Sequence, residues 1–209
     1  MKNDEKYLKL IELLKDVTTI SKRMPEIVFT YFQTLESNKF LRPLYNLIAE
    51  AFADLFSTSF LFINQSWSQS LMLFDSMVEK ISYSKYLIEN PHFIDEFIKN
   101  NYLVDNLSNK PISISEIAKN AGLNDVYNLV KENVQLISEN NISVLSFFDS
   151  NSNSKSLETF GINIASYICV LFEELYSSFK KWGYVKDISL ESDEKFDNFS
   201  LRFLLLKQN

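Results

Sequence analysis

Glycine and proline, the residues that most often interrupt regular structure, are scarce in this chain. Its 209 residues include 3 Gly and 4 Pro. A β-sandwich or β-barrel needs turn residues roughly every 8–12 positions, so this scarcity disfavours a turn-rich β architecture. Long uninterrupted stretches instead carry apolar residues at the three- and four-residue spacing of an amphipathic helix. The sequence therefore predicts an all-α protein.

The helical stretches predict a single domain, residues 1–209, built as a bundle of about six to eight helices. Residues 1–40 are predicted to hold N-terminal helices, because Pro25 is expected to end the first helix or to restart it as a second one. The core of the bundle is predicted to cover residues 41–182. It opens with Pro43 in the first turn of a long helix that has a wide apolar face.

The later boundaries are predicted from local signals. Asn90 is expected to cap a helix whose first position is Pro91. A loop rich in serine and asparagine is expected near residues 150–156. Residues 183–209 are predicted to form a less regular, acidic tail that packs on the bundle and closes with a helix or a strand.

The chain is acidic, with a formal net charge of −6 and a pI of about 5.0. Phosphate binding needs clustered Lys or Arg, and the densest basic spot is the pair Lys180-Lys181, so nucleic acid is not an expected partner. Cys169 is the single cysteine and the N-terminus does not resemble a signal peptide, which favours a reducing cytoplasm. The most apolar stretch, from Phe160 to Phe172, is shorter than the roughly 20 residues that cross a bilayer. We therefore expect a soluble protein without membrane association.

Residues 112–131, "ISISEIAKNAGLNDVYNLVK", have the outline of a helix-turn-helix. Ser113 and Glu116 have the spacing of a capping box, and Gly122 suits the left-handed turn that ends a helix. A DNA-reading helix offers Arg, Lys, Asn or Gln to base edges, with further cations on phosphates. Between residues 112 and 143, however, two lysines stand against four acidic residues, and there is no arginine. The preferred interpretation is two packed helices with a tight turn.

No catalytic or metal-binding constellation is evident in the sequence. His92 is the single histidine, which excludes a multi-histidine metal site within one chain. Asp75 and Glu79 are four residues apart on one helical face, but helical di-metal sites use a Glu-x-x-His pattern on each of two helices. Here that pattern occurs once, from Glu89 to His92, across a predicted helix boundary. We expect no catalytic residue, metal or cofactor, and predict that the carboxylates are hydrogen-bonded or exposed.

Two stretches, "SLMLFDSMVEKISYSKYLIENP" and "SISEIAKNAGLNDVYNLVKENVQLISENNIS", together resemble a family of uncharacterised bacterial all-helical proteins with a HEPN-like bundle. Members show Leu-Arg-x-x-x-Glu on a long helix before a Tyr-Leu. A later Ile-x-Glu-x-Ala…Gly-Leu…Tyr segment ends in His-x-Ser. Here Glu79 matches the glutamate, Tyr86-Leu87 the Tyr-Leu, and Tyr127 the later tyrosine.

Two positions depart from the family pattern. Asp75 stands at the arginine position, and Asn141-Ile142-Ser143 replaces His-x-Ser. The resemblance implies a polar centre without its cationic and imidazole members, formed by Asp75, Glu79, Tyr127, Asn141 and Ser143. It transfers no settled activity, although it suggests an accessory of mobile elements or phage defence. The Arg and His motif of HEPN ribonucleases is absent, so RNA cleavage by that mechanism is not expected.

Together these observations favour a non-enzymatic cytoplasmic protein that acts through protein–protein contacts. Its partner is expected to be another protein or a second copy of itself, in a regulatory or accessory role in conflict between phage and host. A degenerate or unrecognised enzyme with a polar centre around Glu79 is the first alternative. A helix-turn-helix regulator that binds DNA is the second.

Overall fold

The computed structural model describes residues 3–34, 42–99, 113–128, 131, 154–181 and 190–208. These residues form helices and the turns between them, without a strand, as the sequence predicts. Residues 124–128 are also helical. The helices with both ends described are α1 (Asn3–Thr34), α2 (Arg42–Ile63), α3 (Trp67–Glu89), a 3-10 turn (Pro91–Phe93), α4 (Ile94–Lys99), α5 (Ile114–Asn120), α6 (Ser154–Lys181) and α7 (Leu190–Lys207). The fold is an all-α bundle.

The first three helices pack against one another in succession, α1 on α2 and α2 on α3. Polar contacts give the direction of the second pair. The side chains of Ser76 and Lys80 donate hydrogen bonds to Asp54 at 3.1 and 2.9 Å, whereas Ser70 Oγ donates to the Thr58 carbonyl at 3.0 Å. Residue numbers therefore rise along α2 as they fall along α3, so the two helices run antiparallel.

Helix α6 completes the core by packing on α1, α2 and α3. Its buried face includes Cys169, which is fully buried, and burial raises the pKa of that thiol far above its ordinary value. Gly161 lets α6 approach α1 closely, since a Cβ at this position would lie 3.2 Å from the Tyr7 ring. The lone cysteine is therefore a core residue that stays protonated.

Helix α7 lies against α1 and the outer side of α6. It runs antiparallel to α1, because Arg202 pairs with Asp16 at one end while Glu191 pairs with Arg23 at 2.8 Å at the other. Contact with α6 is aromatic, and the Phe196 ring stacks on Tyr176 with centroids 4.1 Å apart. Residues 190–207, predicted as part of a less regular tail, thus form a regular helix.

Pro25 does not divide the first helix, and the prediction of two N-terminal helices is wrong. Helix α1 continues through it for 32 residues. The reason is tertiary packing, since the residues on either side of the proline, Met24 and Val28, are fully buried on the same face as Val17. Burial of that continuous face outweighs the lost backbone hydrogen bond at the proline.

Two predicted boundaries differ from the structure in detail. The Asn90 side chain does not cap the turn that begins at Pro91; its Nδ2 donates instead to the Tyr86 carbonyl at 2.9 Å and so closes the end of α3. The loop expected near residues 150–156 is shorter at its far end, because α6 begins at Ser154. Where one helix ends close to the start of the next, the role of an Asn between them is ambiguous from sequence, because its side chain can hydrogen-bond to the end of the first or to the start of the second.

Among the described helices, α2 is long and apolar enough to meet the length and composition criteria for a membrane span. It lies between α1 and α3 and buries ten of its residues, including Tyr45 and Phe52. Packing within the bundle therefore accounts for part of its apolar composition.

Candidate functional site

The turn after α5 has the local chemistry that the sequence predicts. Ser113 caps α5 in extended conformation, and its Oγ accepts a hydrogen bond from the Glu116 N–H at 3.2 Å. Gly122 has a φ of +72°, the left-handed region that glycine enters without steric cost. The Leu123 N–H then bonds to the Ala118 carbonyl at 2.7 Å and closes the helix end.

The helical residues after this turn face the bundle. Leu123, Val126 and Tyr127 are all buried. These side chains are therefore packed on the bundle, as the preferred interpretation of this segment as two packed helices requires. The turn carries Tyr127 towards the outer side of α3.

Four side chains meet beside α3, here called the Lys131 cluster: Asp75, Glu79, Tyr127 and Lys131. The Nζ of Lys131 lies 3.0 Å from Asp75 Oδ1 and donates a hydrogen bond to Oδ2 at 3.1 Å. The same Nζ lies 3.4 Å from Glu79 Oε1 and 5.5 Å from the centre of the Tyr127 ring. One ammonium group thus joins two carboxylates and an aromatic face.

The charges in this cluster support one another. Partial burial works against the ammonium form of Lys131, but its hydrogen bond to Asp75 and the charges of both carboxylates raise its pKa above the ordinary value. Burial likewise raises the pKa of Tyr127; Lys131 acts in the opposite direction, and the two carboxylates add to the rise. Lys131 is therefore cationic and Tyr127 neutral at physiological pH.

This arrangement is suited to holding one segment of the chain against α3 rather than to acid–base chemistry. A general acid or base is most effective when its pKa lies near the working pH. The pKa values of Lys131 and Tyr127 are both shifted further above neutral pH. The geometry instead ties the segment that contains Tyr127 and Lys131 to α3. The Lys131 cluster therefore holds two parts of the bundle together.

The structure brings together three of the five residues predicted for the polar centre. Asp75, Glu79 and Tyr127 all belong to the Lys131 cluster. Asn141 and Ser143 lie outside the described residues. Lys131 was not predicted as a member of this centre. Its spacing could have indicated it, because it follows Tyr127 by four residues and so lies on the same helical face.

Other carboxylates in apolar helices also have lysine partners. Asp54 pairs with Lys80 at 2.9 Å, Glu173 pairs with Lys207 at 2.9 Å, and Glu174 pairs with Lys85. These carboxylates are hydrogen-bonded, which is one of the two environments predicted for such residues. What the sequence did not reveal is that each pairing joins two helices.

The remaining candidate residue, His92, is exposed, and its ring lies tilted against the Phe93 ring with centroids 4.2 Å apart. The helix boundary predicted between Glu89 and His92 is confirmed, because α3 ends at Glu89 and a 3-10 turn follows. Within the described ranges, no group of three or more His, Cys, Asp or Glu side chains is placed to hold a metal ion.

Replacing Lys131 by methionine is expected to lower the free energy of unfolding by about 1 kcal/mol. The substitution leaves Asp75 and Glu79 facing each other four residues apart, where like charges repel. Urea denaturation of Lys131→Met against Lys119→Met, which alters an exposed lysine on α5, measures the difference. Equal stabilities would show that the cluster does not hold the bundle together.

Comparison with models of known protein families, with curated protein sequences and with solved structures finds no match to this chain.

Proposed function

We propose that this chain is a non-enzymatic interaction protein that binds other protein surfaces through the outer face of α7. The observation that supports the proposal is an exposed row of apolar side chains, here called the leucine row: Leu201, Leu204 and Leu205. Their exposed fractions are 59%, 51% and 52%. Removing apolar surface from water is favourable by about 25 cal/mol per Å², so this row provides a driving force for association.

Clustering distinguishes the leucine row from ordinary surface residues. The other large apolar side chains exposed among the described residues are spread over three helices: Leu8 and Phe29 on α1, Phe60 on α2 and Met72 on α3. Single exposed apolar residues are normal on a soluble protein, whereas several on one face indicate an interaction site. Three of seven lie within five consecutive residues of α7.

The Lys131 cluster is consistent with the same proposal. The pKa values of its lysine and tyrosine are both raised, and so lie further above neutral pH than is best for a general acid or base. We propose the cytoplasm as the compartment. The family resemblance of residues 70–143 suggests phage–host conflict as the setting in which this interaction acts.

Photo-crosslinking tests the proposal directly. A photoreactive amino acid placed at position 204 is expected to form covalent adducts with protein when cells of the natural host are irradiated. The same group at position 72, where Met72 is 76% exposed on a different helix, is the matched control. Adducts at 204 that are no more abundant than those at 72 would contradict the proposal.

A further inference from the structure

Helix α7 presents two different faces. One face is buried in the bundle through Phe196, Phe199, Phe203 and Leu206. The leucine row has the i, i+3, i+4 spacing that places its members on a single face of a helix, and that face points away from the core. A second helix can therefore lie along the leucine row without disturbing the packing beneath it.

Opposite charges stand beyond the two ends of the leucine row, at equal distances from Arg202. Asp197 and Lys207 lie five residues before and five residues after Arg202, and their side chains are 67% and 45% exposed. Both side chains reach α6, where Lys180 pairs with Asp197 and Glu173 pairs with Lys207, so both lie on the flank of α7 that faces α6. The acidic group stands at one end of the row and the basic group at the other.

We propose that two copies of this chain pair through α7 in antiparallel orientation about a two-fold axis that crosses the leucine row at the level of Arg202. This inference rests on the proposed function and names its partner. A two-fold axis at this point brings Asp197 of each copy level with Lys207 of the other, while the leucine rows meet between these pairs. A parallel pairing would instead place Asp197 beside Asp197 and Lys207 beside Lys207.

The flanking charges have partners within the chain, which affects how strongly they contribute. Lys180 lies 3.0 Å from Asp197, and Glu173 lies 2.9 Å from Lys207. The pair of Asp197 with Lys180 is exposed and therefore contributes little, whereas Glu173 in the other pair is only 26% exposed. Stable interfaces bury roughly 800 Å² on each partner, far more than three leucines supply. We therefore expect a weak dimer with a dissociation constant of roughly 100 μM.

Sedimentation equilibrium of the full chain, over concentrations on both sides of roughly 100 μM, tests the pairing. The wild type is expected to shift from monomer to dimer, and Leu201→Asp/Leu204→Asp is expected to stay monomeric. Met72→Asp, an equally drastic change at an exposed residue on α3, is expected to dimerise as the wild type does. Circular dichroism of each variant confirms that the helices are retained.

Charge-reversal variants distinguish the antiparallel arrangement from other dimer geometries. Asp197→Lys and Lys207→Asp are each expected to weaken the dimer by about threefold to tenfold. The double variant Asp197→Lys/Lys207→Asp is expected to recover most of the affinity, because the reversed charges meet again across the axis. Failure of the double variant to recover, or a dimer unchanged by the leucine substitutions, would overturn the proposed arrangement.

The two proposals can fail separately. A chain that stays monomeric at all concentrations would overturn self-association. Crosslinks from position 204 to a different protein would then still support the proposed function. If both experiments are negative, the leucine row is not a binding surface.

Discussion

Replacing Phe199 by alanine is expected to lower the free energy of unfolding by about 3–5 kcal/mol. Phe199 is fully buried, and its ring centre lies 4.9 Å from that of Phe172 on α6 in an edge-to-face contact. On α7 itself the ring also stacks with Phe203. The substitution removes this packing and leaves a cavity between α6 and α7 that rigid helices cannot fill completely.

Urea denaturation followed by circular dichroism measures this loss, with the midpoint and the slope fitted separately. Leu204→Ala is the matched control, because it removes a similar apolar volume from the exposed face of the same helix. That variant is expected to stay within about 0.5 kcal/mol of the wild type. A loss below about 1 kcal/mol for Phe199→Ala would contradict the packing of α7 on α6.

The effect of Phe199→Ala also bears on the function proposed for α7. The leucine row keeps its orientation only while the opposite face of α7 is fixed to the bundle. A destabilised α7 is therefore expected to lose dimerisation, although Phe199 does not belong to the leucine row. Leu204→Ala is expected to weaken dimerisation while leaving stability unchanged. Comparing the two variants therefore distinguishes residues that hold α7 on the bundle from residues that form the dimer contact.

Local chemistry explains which parts of the fold could be predicted from the sequence. Ser113 and Gly122 take their predicted roles because a cap hydrogen bond and a positive φ depend on neighbouring residues alone. The positions of α2, α3 and α6 follow from apolar spacing sustained over more than five turns. Asn90 was placed at the wrong helix end because the same side chain can serve both.

The candidate site was predictable on one helix but not across helices. Asp75 and Glu79 share a face of α3, as their spacing requires. Their partner Lys131 is more than fifty residues further along the chain. Its position beside α3 depends on how the whole bundle packs. Sequence spacing identifies neighbours within a helix, whereas contacts between helices are set by tertiary structure.

The leucine row illustrates the opposite difficulty. Apolar residues follow one another in "FLLLK" at the end of α7, so the sequence does not separate the buried Phe203 and Leu206 from the exposed Leu204 and Leu205. Which of these residues are buried depends on which side of α7 contacts α1 and α6. An exposed apolar surface can be inferred only after the helix has been placed on its neighbours.

Pro25→Ala is expected to raise the free energy of unfolding by about 1–3 kcal/mol. Pro25 lies inside α1 and has no N–H to donate to the carbonyl of Ser21, four residues earlier. Alanine restores that donor and relieves the clash of the ring with the preceding turn. The gain is reduced because proline also restricts the unfolded chain, an effect of about 0.4–1 kcal/mol.

Pro43→Ala provides the control for this prediction. Pro43 is the second residue of α2, where backbone N–H groups have no partner within the helix and a proline loses nothing. Alanine at this position is expected to be neutral or slightly destabilising, because only the effect on the unfolded chain remains. Urea denaturation of both variants should therefore give changes of different sign. A loss of stability in Pro25→Ala would mean that the half-buried proline ring contributes more to the packing of α1 than the missing hydrogen bond costs.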